Sequence, residues 1–581
     1  MIELIGIPVA EGIVTGKTFL MGKGRLRVKK YNISQEKITE EIIKLRKAVV
    51  NTQSYMKNIK NLSYKDLGGN ISYIFDVYLL LLEDKQVVGK IEESIKNDLI
   101  NAEHAVKKVS QTILKSFDNI ENAYFKERKH DLEYVVNRLI LEMDGTNTDY
   151  TDHIASDSIV IAQDISPSEM SILYNKNIKG FATEKGSKIS HTSILARSFG
   201  TPSVAGLRNL MEKVENGETV IIDGFDGKVI MEPTEEIINH YREKEKRYNN
   251  YTKELDKLKS FEAKTLDGTV IKLYANIELN EEISISNEYS ASGIGLYRTE
   301  FMYLKKGDLS EDEQFDILKE AVIKNKDKPF IIRTFDLGGE KLFDILPHPT
   351  EENPAMGLRA IRYCLKYEHF FKKQIKAILR AAFYGDVRLM LPLISGVEEI
   401  RQAKSMISSA QSDLEIEGKE FKKNIPVGIM VELPSIALIA HLIAKEVDFF
   451  SIGTNDLIQY ALGFDRTNEH VAYLYRPTHP AFLMLLSKIL RNADMHKIEA
   501  IVCGEIAGVP KYIPLLLGLG YRHLSMSPSL LLKAKMVIKR LNLADCERIV
   551  RVLKRCKIAR RSEDTLEKFI EAYTTDIYFR S

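Results

Sequence analysis

The chain has 581 residues, with 83 Lys and Arg against 81 Asp and Glu and a formal net charge of +2. That length predicts several domains, each able to bury its own core, and the near-balanced charge gives no electrostatic footprint for nucleic acid. No stretch approaches the ~20 apolar residues of a membrane span and Met1-Ile2-Glu3-Leu4 opens no signal-length apolar run, so a cytoplasmic protein without membrane insertion is expected.

Short β-type runs and glycines occupy Ile5 to Leu20. From Tyr31 to Met143 the pattern turns helical: Ile38, Ile42, Leu45, Val49, Met56 and Ile59 recur at helical spacings. Further helical runs cover Ile71–Glu83, Ala102–Phe117 and Ala123–Leu141, which predicts a helical bundle. Strand signals return at Ser158–Ala162 and Thr219–Ile222, the second closed by the turn Asp223-Gly224. The expectation is an α/β domain built from residues 1–20 and 146–232, with a helical domain, 21–145, inserted into it.

Inside that α/β domain, Lys185-Gly186-Ser187-Lys188-Ile189-Ser190 reads as a loop of small and basic residues running into a helix that begins at His191. Backbone N–H groups at a helix start lack intrahelical partners and favour an anion. A histidine there is suited to carry a phosphoryl group on a ring nitrogen, with Thr192, Ser193 and Arg197 as nearby donors. The glycine-free, highly charged stretch Pro233–Ser260 reads as a solvent-bridging linker helix.

From Phe261 onward, eight apolar runs alternate with helical patterns: Val270–Ile277, Gly293–Tyr297, Phe330–Thr334, Val387–Leu393, Val427–Val431, Phe449–Ile452, Ala500–Val502 and His523–Met526. This predicts a (β/α)8 TIM-type barrel over 261–581, whose active site lies at the C-terminal strand ends. Polar residues collect there: Arg298, Arg333, Asp336, Glu432, Asn455, Asp456, Arg466 and Cys503. Two carboxylates on adjacent strands suit Mg²⁺. Several arginines suit phosphate and carboxylate through bidentate pairing. The implied ligand is a small phosphorylated acid, and Lys341 is a further candidate ligand. A single Arg–carboxylate pair is often only structural, and a lone cysteine is often a small buried hydrophobe; it is their recurrence at most strand ends that points to a site. The four cysteines, Cys364, Cys503, Cys546 and Cys556, fit no zinc spacing and are expected as free thiols.

Longer motifs carry a resemblance. Gly295-Leu296-Tyr297-Arg298-Thr299-Glu300-Phe301, Arg333 to Lys341, Asn353 to Arg359, Gly453 to Tyr460 and Cys503-Gly504-Glu505 resemble the Enzyme I family of the bacterial phosphotransferase system, the phosphoenolpyruvate–protein phosphotransferases. The resemblance covers nearly the whole chain. It implies that Glu432 and Asp456 hold Mg²⁺, and that Arg298, Arg333, Asn455, Arg466, Arg359 and Lys341 bind phosphoenolpyruvate. It further implies that Cys503 protonates the departing enolate on carbon and that His191 accepts the phosphoryl group. The insertion is similar to a docking domain for HPr, the small histidine phosphocarrier, at Ile74-Phe75, Leu80 to Asp84, Tyr124, Lys126-Glu127-Arg128 and Asp131. The family implies a homodimer through the barrel and a place at the head of the sugar phosphotransferase relay. One histidine cannot face both partners in a single arrangement unless their sites converge, so a His191 domain that swings between them is expected, hinged at Pro233–Ser260 and at the chain crossings near Met21–Tyr31 and Asp144–Tyr150. Near the histidine the chain departs from the family pattern: Ser187 stands where a second glycine is usual, Ile189 where a small hydroxyl residue is usual, and Ala10-Glu11-Gly12 where Ser-Pro-Gly is common. A pyruvate-phosphorylating dikinase or synthase would need a nucleotide-binding domain for which the chain has no room. A regulatory protein with a dead barrel is the reading that Ser187 and Ile189 favour and the full set of strand-end residues opposes.

Overall fold

In parallel sheets covered on both faces, strands read as unbroken apolar runs. Val427-Gly428-Ile429-Met430-Val431 is such a run, buried at every position. A computed structural model describes residues 1–21, 30–67, 79, 82, 85–118, 135–143, 154–165, 167–186, 191–306, 308–337, 351, 353–466, 468 and 470–574. The chain divides into two compact units, one running to Asn250 and the other from Tyr251.

The first unit is built on an eight-stranded mixed sheet. Its strands are β1 (Ile2–Ile5), β2 (Ile7–Ala10), β3 (Ile13–Met21), β4 (Ile159–Ala162), β5 (Gly180–Thr183), β6 (Ser203–Ala205), β7 (Thr219–Asp223) and β8 (Lys228–Met231), in the order β1-β8-β7-β3-β4-β5-β6-β2. β3, β4, β5 and β6 run parallel. β3 pairs directly with β4, from Thr18 against Ile159 to Met21 against Ala162, although more than a hundred residues separate them in sequence. Those intervening residues supply the helices Ile38–Leu67, Lys85–Asp98 and Ala102–Asp118. Alternation along β4 explains how sheet and helices join. Val160 and Ala162 face a core shared with Leu45, Ile95 and Ala105 of the helices. Ile159 and Ile161 face the opposite core with Val220 and Ile222. Most of the expected run Ile71–Glu83, and the residues similar to a carrier docking surface other than the buried Leu82, lie outside the described residues. The helix Glu235–Asp256 follows the sheet.

The second unit is a closed parallel barrel of eight strands: β9 (Lys272–Ile277), β10 (Ile294–Arg298), β11 (Phe330–Arg333), β12 (Val387–Leu391), β13 (Val427–Val431), β14 (Phe449–Ile452), β15 (Glu499–Val502) and β16 (His523–Met526). The barrel is the expected fold, and each apolar run in the sequence corresponds to one strand within a residue or two. The barrel interior is filled, as in other folds of this type. Tyr274, Leu296, Ile331, Met390, Met430, Phe449, Ile501 and Cys503 form a buried cluster inside it. The residues between them along each strand face the outer helices. Among the described residues, no helix is long and apolar enough to cross a membrane.

Candidate active site

Side chains alternate between the two faces of a strand. The interior cluster therefore dictates what reaches the C-terminal mouth two residues later. Leu296 is followed by Arg298, Ile331 by Arg333, Met430 by Glu432 and Ile501 by Cys503. One periodicity thus sends four of the sequence-predicted residues to the same rim.

Arg333 is the more enclosed of the two arginines, its side chain 12% exposed against 40% for Arg298. Its Nη2 donates to Glu300 Oε1 at 3.0 Å and its Nη1 lies 2.9 Å from Asp336 Oδ2. Asp336 Oδ1 accepts from Arg359 Nε and Nη2 at 3.2 and 2.9 Å, and Arg359 Nη2 lies 3.7 Å from Asp456 Oδ2. Burial disfavours the charged form of both guanidiniums, but Glu300 and Asp336 overcome it for Arg333, and Asp336, Asp456 and Glu432 do so for Arg359. Both pKa values end above the ordinary arginine range, so both side chains stay cationic.

Glu432 ends β13 and accepts a hydrogen bond from the backbone N–H of Leu393. Leu393 adopts a left-handed backbone (φ 53°), as does Ala360 (φ 50°) beside Arg359. Two such non-glycine residues at one site cost about 1 kcal/mol each, a strain that clusters at functional sites. Burial, with the neighbouring Asp336 and Asp456 carboxylates, pushes the Glu432 carboxyl up to about 8. A buried carboxylate facing two others is relieved by a cation. The donor set fits Mg²⁺, which takes hard oxygen ligands and keeps places for water and a phosphorylated substrate. Room exists as well: a Cβ on Gly453 would stand 3.1 Å from Glu432 Oε2, so glycine leaves that oxygen open. Among the described residues no cluster of three or more His, Cys, Asp or Glu forms an all-protein cage.

The outer rim is more exposed. Arg298 pairs with Glu278. Asn455 Nδ2 donates to Glu505 Oε1 at 2.9 Å, Arg466 Nη1 donates to the same oxygen at 3.0 Å, and the Glu505 N–H returns to Asn455 Oδ1 at 3.0 Å. Several buried polar atoms here have no protein partner: Arg298 Nε, Arg333 Nε, Glu300 Oε2 and Thr454 Oγ1. Such orphaned groups are rare in a finished core and common where a ligand or water belongs.

Cys503 lies at the end of β15, 4% exposed. Its Sγ accepts from Ser451 Oγ at 3.0 Å and donates to the Ile452 carbonyl at 3.3 Å. Burial pushes the thiol up to about 11, with Ser451 pulling the other way, so it is protonated at neutral pH. Cys364 and Cys546 are buried free thiols elsewhere and Cys556 is half-buried.

In the first unit a helix, His191–Phe199, opens at His191. Gly186 has φ 122°, a conformation that only glycine adopts easily, and an added Cβ would meet Ala205 Cβ at 3.0 Å. Thr192 was expected as a phosphate donor. Instead its hydroxyl donates to the Ile165 carbonyl at 2.5 Å, so its single proton is already committed. Ser193 is buried. Lys341, Ser187 and Ile189 lie outside the described residues. Sequence reasoning assigned no role to Glu300, Glu505, Glu278 or Ser451. The first two stand inside the quoted motifs and could have been found there as counter-ions to the neighbouring arginines.

Comparison with known proteins agrees along the chain. The family model for the PEP-utilising enzyme PEP-binding domain matches residues 252–543, that for the N-terminal domain 5–128, and that for the mobile domain 154–227. The phosphoenolpyruvate-protein phosphotransferase of Priestia megaterium is 40% identical over 546 residues, covering 94% of this chain and 95% of that protein. The protein of the same name from Staphylococcus carnosus is 36% identical, covering 98% and 99%, and that from Bacillus subtilis is 38% identical, covering 94% and 96%. With three successive domain matches and that identity over nearly its full length, the chain belongs to the phosphoenolpyruvate–protein phosphotransferase family, Enzyme I of the phosphotransferase system, and is a transferase.

Proposed function

We propose that the barrel mouth binds phosphoenolpyruvate and that His191 takes its phosphoryl group and then passes it to a histidine of the carrier HPr. The observation that carries this reading is the rim itself: Arg298, Arg333, Arg359 and Arg466 share it with Glu432, Asp456 and a protonated, buried thiol, Cys503.

Phosphoryl transfer requires little covalent chemistry from the protein. It requires positioning and neutralisation of charge on the transferred group. In this reading Arg298, Arg333, Asn455 and Arg466 hold the phosphate and carboxylate, with Arg359 and Lys341 completing the set. Arg333 and Arg359 are charged and locked by buried carboxylates before any ligand arrives, so little reorganisation is left for the reaction. Glu432 and Asp456 hold Mg²⁺, whose charge neutralises the phosphoryl oxygens when bound. Loss of the phosphoryl group leaves an enolate of pyruvate, and Cys503 delivers a proton to its C3. A thiol whose pKa burial raises keeps that proton at neutral pH until a carbon base takes it.

The domain roles follow the same reading. Residues 1–20 and 146–232 form the phosphohistidine domain, and 21–145 the HPr docking domain. Residues 233–260 form the linker. Residues 261–581 bind phosphoenolpyruvate and make a homodimer. The protein then stands in the cytoplasm at the head of the sugar relay. The test is incubation with labelled phosphoenolpyruvate and Mg²⁺, followed by mapping of acid-labile phosphate. Label is expected on His191, lost with EDTA and restored by Mg²⁺. Label elsewhere rejects the acceptor, and full labelling of Glu432→Ala in chelator rejects the metal role.

A further inference from the structure

Of the polar residues in the barrel interior that the chemistry above leaves idle, one touches the sulfur of the proposed acid. Ser451 lies on β14, wholly buried, between Phe449 below it and Gly453 above. In register it pairs with Ile501, so Cys503 stands one interior step above it on β15. A hydroxyl at that depth has few reasons to exist in a barrel packed with aliphatic and aromatic side chains, because a buried hydroxyl costs free energy unless it is hydrogen-bonded. The Ser451 hydroxyl is bonded, and its acceptor is the Cys503 sulfur at 3.0 Å.

We propose that Ser451 is a positioning residue for the Cys503 thiol, holding the sulfur in place and donating to the thiolate that forms when the enolate is protonated. The proposal rests on the reading of Cys503 as the carbon acid. Four contacts fix the cysteine, one of them the bond from Sγ to the Ile452 carbonyl at 3.3 Å. Its backbone N–H donates to the Ile452 carbonyl at 3.1 Å. Its carbonyl accepts from Asn276 Nδ2 at 2.8 Å. Its sulfur is held from beneath by Ser451. The electron pair on C3 of the enolate takes the Sγ proton, the S–H bond breaks as the C–H bond forms, and the pair stays on sulfur as thiolate. Ser451 O–H then donates to an anion, a stronger bond than the one to the neutral thiol. Water later returns a proton to the sulfur. The ionisable groups acting on the sulfur are Glu432 on β13, Arg333 on β11 and Arg298 on β10. Removal of Ser451 leaves these unchanged.

The test is deuterium uptake at C3 of pyruvate, catalysed by the full-length protein with Mg²⁺ in deuterated water and followed by proton NMR. Ser451→Ala is expected to slow exchange by about tenfold, the effect of one hydrogen bond to a charged group. The inflection of its pH profile should move upward by about one pH unit. The KM for phosphoenolpyruvate should stay unchanged. Ser451→Thr, which keeps the hydroxyl, should recover most of the rate and the original inflection. Melting curves identify a variant that has failed to fold, and the threonine variant then carries the comparison. Wild-type exchange and profile in Ser451→Ala, with exchange abolished in Cys503→Ser, would overturn the Ser451 role alone. Exchange persisting in Cys503→Ser would overturn the acid assignment and the Ser451 role with it.

Discussion

In the proposed reading the two units handle an anionic group by different means. In the first, the proposed residues are close in sequence: Gly186 with its left-handed backbone, then a helix opening at His191, the kind of terminus that favours an anion. In the barrel they are scattered from Arg298 to Cys503 and meet because parallel strands deliver every second side chain to one mouth. The first arrangement relies on backbone dipoles and on whatever comes to it. The second relies on fixed charge, with Arg333 and Arg359 interlocked through Asp336. A site that must give a phosphoryl group away can be sparse. On that reading, a site that draws the group off phosphoenolpyruvate's carbon framework has to be built in advance.

The largest test separates the two units. His191→Ala should abolish acid-labile phosphoenzyme altogether while leaving barrel-catalysed deuterium exchange at C3 of pyruvate within about twofold of wild type, since exchange needs only the groups at the mouth. Loss of both activities in a folded variant would mean the units do not divide the chemistry.

The next test attacks the preorganised charge. Asp336 is 3% exposed at its side chain and accepts from two arginines. Asp336→Asn keeps the shape and removes the charge, leaving two buried guanidiniums with one counter-ion fewer. Breaking a buried pair from one side costs about 3 kcal/mol. The barrel transition in urea should shift by that order, and phosphoenzyme formation should fall by about a hundredfold. A variant as stable and active as wild type would mean that Glu300 and Asp456 alone suffice.

The contrast also explains what was legible in the sequence. Barrel strands such as β13 and β14 were readable because they are buried at every position and appear as short, mostly apolar runs. The residues at their C-terminal ends could be assigned to one mouth for the same reason. What periodicity does not encode is partnership across strands. Nothing local to Glu505 says that it meets both Asn455 and Arg466, and nothing local to Ser451 says that a sulfur lies above it. At the histidine helix the signal that local sequence lacks is of another kind. Thr192 looked like a donor by its position, but Ile165, 27 residues earlier, supplies a carbonyl that claims its proton.

A smaller effect is expected where the chain enters the barrel. Lys535 is 1% exposed, and its Nζ donates to the carbonyls of Leu258, Lys259 and Tyr289 at 3.1, 3.0 and 2.7 Å. Burial, with a minor contribution from Lys328, lowers its pKa to about 8. An unfolded lysine titrates near 10.4. Between these values the unfolded chain binds more protons than the folded one, so stability rises as pH rises from about 8 to about 10.4. The full span is on the order of 3 kcal/mol. Lys535→Met should remove that rise from the barrel transition in urea and, by leaving three carbonyls unsatisfied, lower stability at pH 7 by about 2 kcal/mol. Identical pH slopes in the two proteins would show that the ammonium is not what titrates.

The smallest effect is expected at Thr192, and it bears directly on how the first unit works. If its hydroxyl served the phosphoryl group, Thr192→Val would remove a donor to an anion and slow phosphoenzyme formation by ten- to a hundredfold, as losing a charge-assisted hydrogen bond does. The hydroxyl instead ties the first turn of the helix to the Ile165 carbonyl, and its one proton cannot serve both. Valine keeps the shape and loses only that tether, a neutral hydrogen bond worth about 1 kcal/mol. Stability of the first unit should drop by that amount, and phosphoenzyme formation should stay within about threefold of wild type. Substitution to serine, which keeps the hydroxyl, should recover the stability. A rate loss of tenfold or more at unchanged stability would return Thr192 to the phosphate and show that the Ile165 contact gives way when the histidine is charged.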